Sequence, residues 1–85
     1  MKVELIYAPG CAECMTARAG LRSAAEAAVA GVEWTEINVL DALEHAVELG
    51  VLTLPALAID GALVFAALPT PAQLRDELLK RAGHD

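Results

Sequence analysis

The chain has 85 residues and a formal net charge of −6, enough for one modest hydrophobic core over residues 1–85 and too few for a second domain. Its 56% hydrophobic content without low-complexity runs indicates a compact globule, and its scattered Lys and Arg exclude the clustered basic surface that nucleic-acid binding requires. Charged residues interrupt every apolar run short of the roughly 20 residues of a membrane span, and the start Met1-Lys2-Val3-Glu4 lacks an export signal, so no membrane partner and a cytoplasmic location are expected.

Lys2 to Tyr7 is short, apolar and strand-favouring, and Pro9-Gly10 closes it with a tight loop. From Cys11 to about Ala30 the residues are strong helix formers, with Met15, Leu21, Ala25 and Val29 as the expected buried stripe and Gly31 as the stop. Val32 to Val39 alternates as a half-buried strand does, with Glu33, Thr35, Ile37 and Val39 on one side. Asp41 and Glu44 resemble a helix-start box, and Leu43, Val47 and Gly50 complete a short second helix.

After a loop from Val51 to Pro55, the runs Ala56 to Ile59 and Ala62 to Ala66 flank Asp60-Gly61, a strong hairpin signal. Thr70 and Gln73 form a capping box around Pro71 for a last helix that buries Leu74, Leu78 and Ala82 before Gly83. The expected order is β-α-β-α-β-β-α, with a crossover between the first two strands long enough to make them parallel.

Cys11-Ala12-Glu13-Cys14 holds both cysteines of the chain. The bare C-x-x-C spacing is shared by zinc half-sites and incidental pairs, but its place at a strand-to-helix junction in a βαβ unit favours thiol–disulfide chemistry. A sulfur at a helix start faces unpaired N–H groups and the positive end of the helix dipole, which favours the thiolate and makes Cys11 the attacking atom. Cys14, one turn along and deeper, is placed to resolve the mixed disulfide. Glu13, between them, opposes the thiolate and moderates the pair.

Other residues add little chemistry. A closed zinc site needs four ligands, and only His45 and His84 are available to join the pair; both read as ordinary surface residues. Tyr7, Trp34 and Phe65 fall in expected strands and read as packing groups, with Tyr7 close enough to the Pro9-Gly10 loop to shape the surface around Cys11. Glu4 and Glu36 are expected to face water.

The C-A-E-C pair after the first strand, T-L-P before the hairpin, the I-D-G turn and the L-P-T-P entry to the last helix span nearly the whole chain. Together they resemble the thioredoxin superfamily in its short glutaredoxin-like form. The resemblance implies an α/β fold with a four-stranded mixed sheet, strand order second, first, third, fourth, and three helices. It also implies a cis Pro55 beside the redox pair, with Leu54 presenting its backbone to an extended substrate and Thr53 and Gly10 in the same substrate-binding surface.

The implied function is thiol–disulfide exchange as a disulfide reductase or electron carrier, with Cys11 and Cys14 catalytic. No cofactor is implied. The expected partners are a disulfide-containing protein or small molecule and a reductase or thiol that donates electrons. The sequence departs from the superfamily's patterns where Gly10 precedes Cys11, Ala12-Glu13 replaces Gly-Pro, and Leu5 stands where thioredoxins carry a buried Asp; the glutathione-binding Gly-Gly-Asp stretch of glutaredoxins has no counterpart. Two alternatives use the same features differently: a metal-binding or metal-delivery module built on the two sulfurs, and a redox-inert interaction domain. A copper-chaperone domain fits poorly, since it has the order β-α-β-β-α-β and usually Met where this chain has Pro9.

Overall fold

Residues 1–82 are described in the computed structural model. The elements follow the expected order: β1 (Lys2–Tyr7), α1 (Ala12–Ala28), β2 (Glu33–Asn38), a 3-10 turn (Val39–Asp41), α2 (Leu43–Leu49), β3 (Ala56–Ile59), β4 (Ala62–Phe65) and α3 (Pro71–Ala82). They build one sheet in the order β2-β1-β3-β4, with β1 parallel to β2 and antiparallel to β3, and β3 antiparallel to β4. The β3–β4 turn places Asp60 at φ 51° and Gly61 at φ 82°, the pair of left-handed residues that a two-residue hairpin of matching twist needs.

One face of the sheet carries the main core. Val3 and Leu5 of β1 and Leu57 and Ile59 of β3 pack with Leu21 and Ala25 of α1 and Leu74 and Leu78 of α3, each large side chain contributing about 1.5–3 kcal/mol by leaving water. The start of α3 is secured as expected. Thr70 Oγ1 accepts from the Gln73 N–H at 3.1 Å, and Gln73 Oε1 accepts from the Thr70 N–H at 2.9 Å, satisfying two donors that a helix start leaves unpaired.

Several local expectations are corrected. The buried stripe of α1 is Cys14, Leu21 and Ala25, whereas Met15 is exposed, because it sits about 100° around the helix from Cys14. Asp41 does not cap α2; it ends the 3-10 turn, which Asn38 opens by accepting the Leu40 N–H at 3.0 Å, and Ala42 precedes α2 without a side-chain cap. Ala82 is exposed, since a stripe taken in steps of four drifts by about 40° per step.

The second face of the sheet is covered differently from the sequence reading. Glu4 is 3% exposed, and its Oε2 lies 2.8 Å from Nε2 of His45 on α2. The alternation that turns Glu4 away from the main core turns it under α2, because a central strand has no face left for water. With His45 on Glu4, Ala46 is the buried residue of α2, while Leu43 and Val47 point outward, Val47 at 77% exposure. Glu36 is also partly buried: it accepts from Trp34 Nε1 at 2.9 Å and pairs with Arg18 at 3.4 Å.

Two stability measurements test this arrangement by urea unfolding. Leu57→Ala, at a site with no exposure, is expected to cost about 2–5 kcal/mol. His45→Ala is expected to cost about 1–3 kcal/mol by stranding the Glu4 carboxylate, and the double change Glu4→Met with His45→Leu to recover most of it. Equal losses in the single and double variants would show that the pair is not what holds α2 in place.

Candidate active site

β1 carries the chain from the core to a turn at one end of the sheet. The Cys11 N–H donates to the Ala8 carbonyl at 3.3 Å, and Gly10 takes φ 82°. A Cβ there would meet nothing within 4 Å, so glycine is required by the backbone conformation rather than by space. α1 then begins, with Cys11 at its N-cap in extended conformation (φ −75°, ψ 98°).

The two sulfurs are joined in a Cys11–Cys14 disulfide, and the Cα atoms lie 5.3 Å apart, within the about 4.4–6.8 Å span that lets two cysteines bridge without backbone movement. Cys11 Sγ also accepts the Cys14 N–H at 3.2 Å, so a backbone donor at the start of α1 points at this sulfur. Their surroundings differ. Cys14 is 2% exposed in the sheet-facing stripe of α1, while Cys11 is partly exposed; an outside sulfur therefore reaches Cys11 first.

The second half of the site arrives through strand pairing. Ile6 is paired with Ala56 across β1 and β3, which sets Pro55 at the same end of the sheet as Tyr7 and the cysteine turn. The Leu54–Pro55 peptide is cis. Thr53 Oγ1 donates to the Ala66 carbonyl at 2.8 Å, tying the segment before Pro55 to the end of β4, and the Leu54 side chain is exposed. All six residues singled out from the sequence, Gly10, Cys11, Cys14, Thr53, Leu54 and Pro55, thus lie at one end of the fold.

The structure adds a groove that sequence reasoning missed. Ala12, Glu13, Thr16 and Ala17 of α1 line it with Leu68 from the β4–α3 connection. Nothing in the sequence pattern ties Leu68 to α1. Leu5, at the position of the thioredoxin Asp, is 1% exposed in the main core, so β1 offers no carboxylate on that face. The buried carboxylate of this strand, Glu4, belongs to the opposite face and to His45. Among the described residues no three His, Cys, Asp or Glu side chains cluster as a metal site; His84 lies outside the described residues.

Comparison with known proteins agrees with this geometry. A family model described as a thioredoxin domain matches residues 1–79. The chain is 31% identical over 81 residues to a thioredoxin of Methanocaldococcus jannaschii, covering 95% of each. Among solved structures it is similar to the zinc-bound form of human ERp44, with a TM-score of 0.69 and 12% identity over 94% of this chain and 26% of that one. It is also similar to a structure described as a malarial protein, with a TM-score of 0.61 and 13% identity over 94% of this chain and 93% of the other. The fold, the cysteine pair at the start of α1 and these relatives together place the chain in the thioredoxin superfamily.

Proposed function

We propose that the protein is a thiol–disulfide oxidoreductase that reduces disulfides in partner molecules and is itself returned to the dithiol by an external thiol or reductase. The observation that carries this reading is the asymmetry of the pair: a reachable Cys11 at the N-cap of α1 and a Cys14 buried to 2% exposure one turn behind it. A structural disulfide has no need of one exposed sulfur facing a helix start.

In the proposed cycle the Cys11 thiolate attacks one sulfur of the partner's disulfide. That bond breaks, a Cys11–partner mixed disulfide forms, and the partner's other sulfur leaves as a thiolate that takes a proton from solvent. The Cys14 thiolate then attacks Cys11 Sγ, closing the Cys11–Cys14 bond and releasing the partner's second sulfur. Two electrons pass from the pair to the partner. The residues around cis-Pro55 serve binding, with Leu54 and Thr53 lining the approach and Gly10 keeping the turn before Cys11 low. No helix among the described residues is long and apolar enough to cross a membrane; a cytoplasmic location is part of the same proposal.

Cys14→Ser is expected to accumulate the Cys11–partner adduct, visible by intact mass, and to slow multiple-turnover disulfide reduction by about 100-fold or more, because resolution then relies on a bimolecular thiol. Turnover equal to that of the parent protein would count against the two-cysteine mechanism. Cys11→Ser is expected to form no adduct and to lose the activity, since the remaining sulfur is buried; an adduct on Cys14 in that variant would reverse the assigned roles.

A further inference from the structure

The charge around the reacting sulfur is one-sided. Glu13 follows Cys11 by two residues, is exposed, and lines the groove with Ala12, Thr16, Ala17 and Leu68. It forms none of the ion pairs among the described residues, and the basic side chains able to offset it are engaged or distant. Arg18, Arg22, Arg75 and Arg81 pair with Glu36, Glu26, Asp76 and Glu77.

Lys2 opens β1, five residues before the end of the strand that delivers Cys11 and so roughly 17 Å away along it. Lys80 lines a cleft with Asp60, whose carboxylate accepts the Lys2 N–H at 2.8 Å, so it lies at that far end too. Both exceed the roughly 8–10 Å over which surface charges act at ordinary salt. A partner segment that brings its disulfide to Cys11 therefore meets an apolar groove with a single carboxylate in its wall.

We infer that Glu13 makes the site selective for disulfides flanked by Lys or Arg and unfavourable to anionic disulfides, glutathione disulfide among them. The inference rests on the exchange reading above and adds to it the chemical class of the substrate. A basic side chain next to the partner's cysteine gains attraction from Glu13 and from the protein's net charge of −6, whereas an acidic one must approach against both. The chemical step is the same for every substrate: the Cys11 and Cys14 thiolates give two electrons, the substrate S–S bond breaks, and Cys11–Cys14 closes. Glu13 acts on encounter and binding rather than on bond making, and is a specificity residue.

The test mixes the pre-reduced protein with excess of one substrate under single-turnover conditions, so that the protein's own dithiol is the reductant, and follows the loss of its free thiols by mass after acid quench. The substrates are three otherwise identical peptides, each closed by an internal disulfide and flanked by Lys, Gln or Glu, and glutathione disulfide.

The expected order of second-order rate constants is Lys, Gln, Glu, with about fivefold between Lys and Gln at low salt, the scale of one good exposed charge pair, and glutathione disulfide no faster than the Glu peptide. Near 1 M NaCl the ratios should fall toward one. Glu13→Gln should cut the Lys-to-Glu ratio by about fivefold or more, since an attraction and a repulsion are lost together, and Glu13→Lys should invert it; reading a ratio removes any common effect of these changes on Cys11 reactivity. A Lys-to-Glu ratio near one in the parent protein, or a ratio that Glu13→Gln leaves intact, overturns the inference while the exchange reading stands. Reduction of none of the four substrates overturns both.

Discussion

The pairing of β1 with both β2 and β3 is the constraint on which the rest of the structure depends. Held from two sides, this strand buries Val3 and Leu5 in the main core and Glu4 and Ile6 beneath the opposite face, so it has no freedom to slide by one residue without turning a carboxylate into the leucine cluster. The fixed register places Tyr7 at the sheet's end and sets the start of α1. The same register brings Pro55 alongside through the Ile6–Ala56 pair. Strand pairing thus brings residues about 40 positions apart to one end of the sheet.

Within that frame the chemistry follows from unequal environments for two like atoms. Cys11 and Cys14 are separated by one helical turn, yet one lies at the rim of α1 with a backbone N–H aimed at it and the other is buried at 2% exposure. Solvent reaches the first and not the second, which in the proposed cycle sets the order of attack and resolution. Leu5 leaves Cys14 without the carboxylate that thioredoxins place on this strand, and the adjacent Glu4 is committed to His45 across the sheet. In the proposed cycle the proton lost by Cys14 therefore has no carboxylate acceptor supplied by β1 on this face.

Much of this was legible from residue patterns. The D-G hairpin, the Thr70–Gln73 box and the cysteine pair at a strand-to-helix junction are local signals, each determined by its own few residues, and each is realised in place. What escaped was set by contacts between distant segments. Alternation alone sends Glu4 to water, because it reports which face a side chain takes and not whether a helix covers that face. The orientation of α2 was illegible for the same reason: the residue pattern gives a short helix but not that Ala46 is buried and His45 meets Glu4 while Leu43 and Val47 stay exposed. Leu68 joins the groove beside Glu13 only because the connection after β4 folds back over α1.

The central claim is that Cys11 and Cys14 form a reversible two-electron couple, and equilibrating the metal-free protein against a graded dithiol/disulfide buffer, with free thiols counted by mass, tests it most directly. The account predicts one transition between a form with two free thiols and a form with none, reached equally from the oxidised and reduced sides and lost in Cys14→Ser. A pair that stays in one state across the range of the buffer, or that passes through a stable one-thiol adduct without closing, would contradict it.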